Sequence, residues 1–309
     1  MPGVPPAFAQ RSSVVRIGIL DYGPPPASGL ARMFVDALRS RGYAAGENLD
    51  IDHRFAGGRP QEFERLLREF QGAGIGLVFA PGHDIAKVAR VVLPALPVVT
   101  VGSEDPVLSG LIASFRRPGG NVTGVSFMSP ELAGKRLEML RDTLPGLARV
   151  GVLWEPEHAD TYYQDLGAVA RGMGVTLHLA ALRAATDLEP AFAEFARERA
   201  QALFVVPSRL TNLLAPRIAA LAAASRLPAM SAYASFAEAG GLVSYGAAVR
   251  DGVERAAAQA AAILRGARPA ELPFELPARF ELVVNARTAR ALGISVPQVV
   301  LLRADRVIE

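Results

Sequence analysis

Polar and ionisable side chains that could do chemistry gather in six short stretches, residues 21–28, 81–85, 102–106, 155–161, 207–212 and 232–236, each placed after an apolar run. With Tyr162 at the border of one stretch, they supply Tyr22, Ser28, His83, Asp84, Ser103, Asp105, Thr161, Tyr162, Ser208, Arg209, Thr211, Asn212 and Tyr233. Hydroxyls, amides and aromatic rings dominate the set, and Arg209 is its one arginine. Such a set suits a small zwitterion or polar molecule with an aromatic or apolar portion. An arginine fork and the N–H groups at helix starts take a carboxylate, and an acidic side chain takes an ammonium.

Each of these residues has a plainer use as well. Arg209 serves equally as half of a surface ion pair, Asp105 as a cap before Pro106, and Tyr22 and Tyr233 as packing at the rim of a cleft. His83-Asp84 has the composition of an activated imidazole pair, but neighbours in sequence project apart, which argues against catalysis. His53, His158 and His178 have no ligand spacing with one another or with an acidic pair, so no metal site is expected. No GxSxG, no phosphate-binding P-loop and no GxGxxG after the first strand occurs. The absence of cysteine excludes thiol catalysis, thiolate metal sites and disulfides. Asn121-Val122-Thr123 matches a glycosylation sequon, and its residues equally suit a turn. The expectation is a binding protein, without enzymatic activity and without a cofactor.

The elements that must position these residues alternate. Short, nearly continuous apolar runs (Val14–Leu20, Leu49–Phe55, Leu77–Ala80, Pro97–Val101) read as strands buried on both faces, and 3.6-residue stripes such as Leu30, Phe34, Ala37, Leu38 read as helices between them. Alternation of this kind predicts α/β architecture with parallel sheets and right-handed crossovers. An apolar helical run from Val107 to Phe115 stops at Arg117-Pro118-Gly119-Gly120, and the pattern restarts with strands at Val150–Trp154, Val175–Leu182, Ala202–Val206 and Leu227–Tyr233. Two Rossmann-like lobes are therefore predicted. The chain is expected to leave the first near residues 119–123, to return at Leu242–Gly246, with Asp251 and Glu254 boxing the start of the next helix, and to cross a third time at Phe280–Asn285. This makes Gly119, Gly120, Asn121, Thr123, Ser244, Tyr245, Gly246 and Asn285 the expected hinge. The lobes would comprise residues 14–121 plus 247–278, and 122–246 plus 279–309. Ligands of open α/β sheets bind beyond the carboxyl ends of the strands, so all six polar stretches would line one cleft between the lobes.

Half of the residues are hydrophobic, enough for two cores of ordinary size. The formal net charge is +3, the only lysines are Lys87 and Lys135, and the arginines are scattered, without a basic stripe interleaved with aromatics. Nucleic acid is thus not an expected partner. No apolar run approaches the length of a bilayer span. Ala7-Phe8-Ala9 has the small-x-small form of a signal-peptidase site, without the charged and apolar segments that precede one. Residues 1–13 are accordingly expected to be the remnant of a removed export signal or an added tail, and the protein to be periplasmic.

Four segments carry a family likeness: EDPVLSGLIASFRRPGGNVTGVSF, KRLEMLRDTLPGLARVGVLWEP, GGLVSYG and RGARPAELPFELPARFELVVNARTARALGISVP. Through them, and most specifically through PGGNVTG and FELVVNxxTAxALG, residues 14–309 resemble the periplasmic substrate-binding proteins of ABC transporters related to tryptophan- and tyrosine-type uptake components. The resemblance implies a type I periplasmic-binding fold with three crossings, a ligand in the cleft, and a permease and an ATPase as partners. It departs from the family's pattern in three cleft loops. Tyr22-Gly23-Pro24-Pro25-Pro26 and Pro81-Gly82-His83-Asp84 stand where relatives carry small residues, and Glu155-Pro156-Glu157-His158 stands where they read Asn-Pro-Asn. Bulkier, more acidic loops point to a changed ligand, smaller or cationic.

The resulting expectation is a monomeric extracytoplasmic receptor that binds an amino acid or similar carboxylate-bearing compound by lobe closure. Two rivals stay open on the residues alone: a two-lobed isomerase or racemase working across the cleft, and an effector-sensing domain of a regulator. The first needs a facing acid–base pair, for which His83 and the acidic residues are the available groups. The second lacks a DNA-binding helix-turn-helix here.

Overall fold

The computed structural model describes residues 14–26, 28–128, 132–156 and 162–309, the last with side chains from 166 onward. In chain order the first part comprises β1 (Val15–Asp21), α1 (Gly29–Arg39), β2 (Leu49–Phe55), α2 (Phe63–Arg68), β3 (Leu77–Pro81), α3 (His83–Val92), β4 (Val98–Gly102) and β5 (Val122–Ser126). These strands form a parallel sheet in the order β2-β1-β3-β4-β5. The second part comprises α4 (Ala133–Thr143), β6 (Arg149–Trp154), α5 (Tyr162–Gly172), β7 (Thr176–Ala181), α6 (Leu188–Arg197), β8 (Ala202–Val205), α7 (Arg209–Leu213), α8 (Ala215–Ala224), β9 (Ala229–Ser231), α9 (Ala234–Glu238) and β10 (Val243–Ala247). Then follow α10 (Val249–Leu264), β11 (Phe280–Asn285), α11 (Ala286–Leu292), α12 (Gln298–Arg303) and β12 (Arg306–Ile308). The second sheet runs β12-β11-β10-β9-β8-β6-β7. Its strands are parallel except that β11 runs against β10. The chain leaves the second lobe at the end of β10 and re-enters beside the same edge at Phe280, so the two strands run in opposite directions.

Each sheet is covered on both faces, as strands apolar along their whole length require. In the first lobe Ile17, Ile19, Leu77 and Phe79 pack under α1 and α10, while Leu20, Val78 and Ala80 pack against α2 and α3. In the second, Val150, Val152 and Phe204 face α4 and α5, while Leu153, Leu203 and Val205 face α6 and α8. The helix α10 follows the second lobe in sequence but lies along α1 and over β4 and β5 of the first. None of the helices among the described residues is long and apolar enough to cross a membrane.

The first crossing lies later than the sequence pattern suggests. β5 pairs in parallel with β4, Val98 opposite Val122 and Gly102 opposite Ser126, so it completes the first sheet, and the chain passes over after Phe127. Gly119, Gly120, Asn121 and Thr123 therefore lead into and belong to the last strand of the first sheet, ahead of the crossing. Asn121 Nδ2 donates to the carbonyls of Leu93 and Leu96, both at 2.8 Å, and Thr123 Oγ1 donates to Leu272 O at 3.1 Å. Ser244, Tyr245 and Gly246 sit inside β10, and Asn285 at the end of β11 caps α11 through Thr288 N–H at 2.9 Å. The second and third connections run side by side just beyond, where Ala248 N–H donates to Arg279 O at 2.9 Å and Asp251 pairs with Arg279 at 3.2 Å. Asp251 is thus spent on that strap, and α10 starts at Val249 without a side-chain cap.

The expected helix at 107–115 is absent. Asp105 Oδ1 accepts the N–H groups of Val107 at 2.7 Å and Leu108 at 3.0 Å, and Leu111 and Ile112 both donate to Pro106 O. These local bonds hold a string of turns in which Leu108 is exposed. The turn that Asp105 caps goes no further because Gly110, at φ +71, takes the chain into the left-handed region.

Candidate functional site

Sheet order decides where the site falls. In the first sheet, β2 lies on one side of β1 and β3 on the other, so the connections after β1 and β3 diverge and leave a crevice. The second sheet has the same divergence between β6, flanked by β7, and β8. Tyr22 follows β1, Asp84 follows β3 and Arg209 follows β8. The switch points of the two sheets face each other, and side chains from them meet.

Arg209 makes the crossing. Its loop is fixed by a reciprocal cap at the start of α7: Ser208 Oγ accepts Thr211 N–H at 3.1 Å, Thr211 Oγ1 accepts Ser208 N–H at 2.7 Å and itself donates to Val206 O at 2.8 Å. From this base the guanidinium reaches the first lobe and forms an ion pair with Asp84. It lies over the ring of Tyr22, 4.4 Å from the centroid, and beside that of Phe63 at 5.3 Å. The two rings meet edge to face with centroids 6.3 Å apart. Side-chain exposure is 17 % for Arg209 and 25 % for Asp84, so the pair is largely withdrawn from water. Arg209 Nε and Nη1 are buried without an acceptor among the described residues.

Space for this arrangement comes from Gly82, at φ +128 and ψ 125, where side-chain-bearing residues are strained. A Cβ there would stand 2.8 Å from Asp84 Oδ1 and 3.2 Å from Arg209 Cδ. Leu213 of α7 adds an apolar contact across the cleft, since a Cβ on Gly23 would stand 3.2 Å from its Cδ1. Deeper in, Phe127 and Tyr233 meet edge to face at 5.8 Å, joining the core of the first lobe to the second.

The remaining candidates divide. His83 is 2 % exposed and points inward, its ring edge-on to Phe274 at 5.6 Å and against the bare face of Gly102. It therefore diverges from Asp84 and makes no dyad with it. Ser28 caps α1 by accepting Ala31 N–H at 3.1 Å. Ser103 and Asp105 lie on the connection after β4, where Asp105 is engaged with turn N–H groups. Thr161 and the side chain of Tyr162 fall outside the described residues. Among the described residues, no group of three or more His, Asp or Glu is placed to hold a metal.

Four residues at the cleft stand outside the set of ligand contacts read from the sequence, three of them, Asp21, Glu104 and Glu155, within stretches named there. Phe63 stands in the apolar stripe of α2, where its ring reads as core. Glu104, between Ser103 and Asp105, is buried and pairs with Lys87 at 2.7 Å. Asp21 is 2 % exposed and accepts from His53 Nε2 and from Ser28 N–H, each at 2.9 Å. Burial alone would raise its pKa, but the hydrogen bonds from His53 and Ser28 outweigh it and hold the carboxyl below its ordinary value. Glu155, at the end of β6, is buried with Oε2 touching no donor among the described residues.

The profile of the ABC transporter substrate binding protein family matches residues 28–308. The chain belongs to that family. Among curated relatives it is 22 % identical over 264 residues to the tyrosine-binding protein of Clostridioides difficile, an alignment covering 84 % of this chain and 75 % of that one. Among solved structures it superposes on a conserved domain protein of Vibrio cholerae with TM-score 0.87 at 25 % identity, covering 96 % of this chain and all of that one. It superposes on the ABC domain from Streptococcus pneumonia in complex with L-Trp with TM-score 0.83 at 24 % identity, covering 94 % and 100 %. The two-lobed α/β architecture is that of the type I periplasmic binding proteins. As a family member the chain is a substrate-binding component that serves an ABC transporter.

Proposed function

We propose that this substrate-binding protein captures a free amino acid in the cleft between its lobes, outside the cytoplasm, and hands it unchanged to a permease with its ATPase. The observation that carries the reading is Arg209. It is an arginine anchored on one lobe, seated on two aromatic rings of the other, with two buried N–H-bearing nitrogens that have no acceptor among the described residues. A ligand carboxylate is the group that satisfies such donors, and charge-assisted bonds of this kind are about twice as strong as neutral ones. The relatives named for tyrosine and solved with L-Trp support the same ligand class.

Closure is the working stroke. A ligand touching both lobes favours the closed form by its difference in affinity between closed and open states, with no covalent step. His83, the base that the sequence offers to an acid–base enzyme in this cleft, turns inward, which favours transport over turnover through that residue. The test is calorimetric titration of the purified chain with L-tryptophan, L-tyrosine and L-leucine, repeated on Arg209→Gln. Binding by the parent chain that falls at least tenfold in the variant, with an unchanged circular dichroism spectrum, supports the assignment. Equal affinity in both would remove Arg209 from the ligand's carboxylate.

A further inference from the structure

We propose that Leu213 is an apolar latch between the lobes: docked on a glycine pad of the first lobe, it sets the balance of closed and open forms without touching the ligand. The inference concerns closure alone and does not depend on which ligand the cleft holds.

The short helix α7 reaches the first lobe at two points. Arg209 opens this five-residue helix and Leu213 ends it. Residues four apart project from the same helix face. Arg209 leads onto the rings of Tyr22 and Phe63. Leu213 leads onto bare backbone beside them: a Cβ on Gly23 would stand 3.2 Å from Leu213 Cδ1, and one on Gly58 would stand 3.9 Å from Cδ2. Both methyl groups of the leucine thus rest on glycines of the opposite lobe. Leu213 is 39 % exposed, which puts the contact at the rim of the cleft.

Local chemistry holds both sides of this contact. Gly57 and Gly58 turn the chain after β2 at φ +63 and +79, conformations that residues with side chains rarely adopt, so the pad stays bare. Gly58 N–H donates to Tyr22 O at 2.7 Å and Gly57 N–H to Gly23 O at 3.3 Å. The pad is therefore tied to the loop whose tyrosine seats Arg209. On the other side, the reciprocal cap of Ser208 and Thr211 fixes the start of α7.

The two sides belong to different lobes, so the contact parts when the lobes do. A contact made only in the closed form raises affinity for every ligand by one factor, because apparent affinity scales with the population competent to bind. Partial burial of two methyl groups shifts such a balance about fivefold.

The test uses the full chain. It has no cysteine, so Glu64→Cys in α2 and Ala220→Cys in α8, both exposed, place one spin label on each lobe. Pulsed dipolar spectroscopy without added ligand then gives the ratio of short to long interlobe distances. Leu213→Ala should lower that ratio about fivefold, and the volume-conserving Leu213→Met should restore it. Gly23→Ala presses a methyl group against the latch and should lower the ratio too. In the Leu213→Ala background the same change should have no effect, because the atom it meets is gone. A ratio unchanged by Leu213→Ala, or an equal effect of Gly23→Ala in both backgrounds, overturns the latch. Calorimetry of the parent chain and Leu213→Ala with L-tryptophan, L-tyrosine and L-leucine follows. Those that bind should weaken by one common factor; unequal factors would place Leu213 against the ligand and overturn the proposal. Binding of none of the three ends the amino-acid reading, while the distance ratios still decide the latch.

Discussion

The guanidinium of Arg209, rooted in the second lobe, lies 4.4 Å above the ring of Tyr22 in the first. With the adjoining ion pair to Asp84, this makes a polar clasp between the halves of the molecule. Loss of the clasp should cost the closed form about 2 kcal/mol, the sum expected of a largely dry cation–π contact and a partly exposed ion pair. That shifts the closed-to-open ratio by about 30-fold. Arg209→Gln should therefore have a larger radius of gyration than the parent chain in ligand-free X-ray scattering. Superimposable profiles would mean that the Phe127–Tyr233 contact and the straps hold the lobes together unaided.

Gly82 sets the reach of that clasp. Alanine there would adopt an unfavourable backbone conformation and drive its Cβ into Asp84 and Arg209. Gly82→Ala should lower unfolding free energy by about 1–3 kcal/mol, read from the urea midpoint, and should weaken amino-acid binding. The same change at Gly29, where a Cβ would meet nothing within 4 Å, is the control for a general glycine effect.

How much of this was legible beforehand follows from what a linear pattern contains. The strand runs and helical stripes gave the two α/β lobes, because burial on both faces and 3.6-residue periodicity are local properties. The partner of a strand is not local. Val122–Ser126 reads the same whether it closes the first sheet or opens the second, and its pairing with β4 moved the first crossing past Phe127. The loops after β1, β3 and β8 were located by the strand-end rule, and the structure brings Tyr22, Asp84 and Arg209 from them into contact. Phe63 could not be separated from Leu66, Leu67 and Phe70 by sequence, since α2 carries all four on or near its buried stripe. The inward turn of His83 depends on Gly102 of a neighbouring strand, a pairing that spacing alone does not reveal.

Asp21 gives a pH signature distinct from the clasp. Its folded carboxyl is held below the ordinary value of 3.8 by His53 and Ser28, against the opposing effect of burial. Its ionised form therefore favours the folded state. That contribution is complete above the unfolded value and is lost as pH falls through the lower, folded one. The stability difference between the parent chain and Asp21→Asn should be largest near pH 6 and should shrink below about pH 4. Urea midpoints of both proteins at pH 6 and pH 3 check this. A difference that does not change between the two pH values would mean that Asp21 contributes through packing alone.

Glu155 makes the opposite prediction at neutral pH. Its residue is 9 % exposed, and Oε2 is shielded from water without a donor among the described residues. A carboxylate oxygen so placed gives up hydration without a hydrogen bond from the described residues in return. Glutamine keeps the shape of the side chain, removes the charge and brings two N–H donors. Glu155→Gln should thus raise the stability of the ligand-free protein by about 1 kcal/mol, a rise of a few degrees in melting temperature for a chain of this size. A carboxylate kept there at a stability cost is expected to act in binding. The decisive measurement pairs the melting curve with calorimetry on the same variant. A higher melting temperature together with weaker amino-acid binding identifies Glu155 as a residue held for function, whereas a lower melting temperature would show that its charge is compensated in the folded protein.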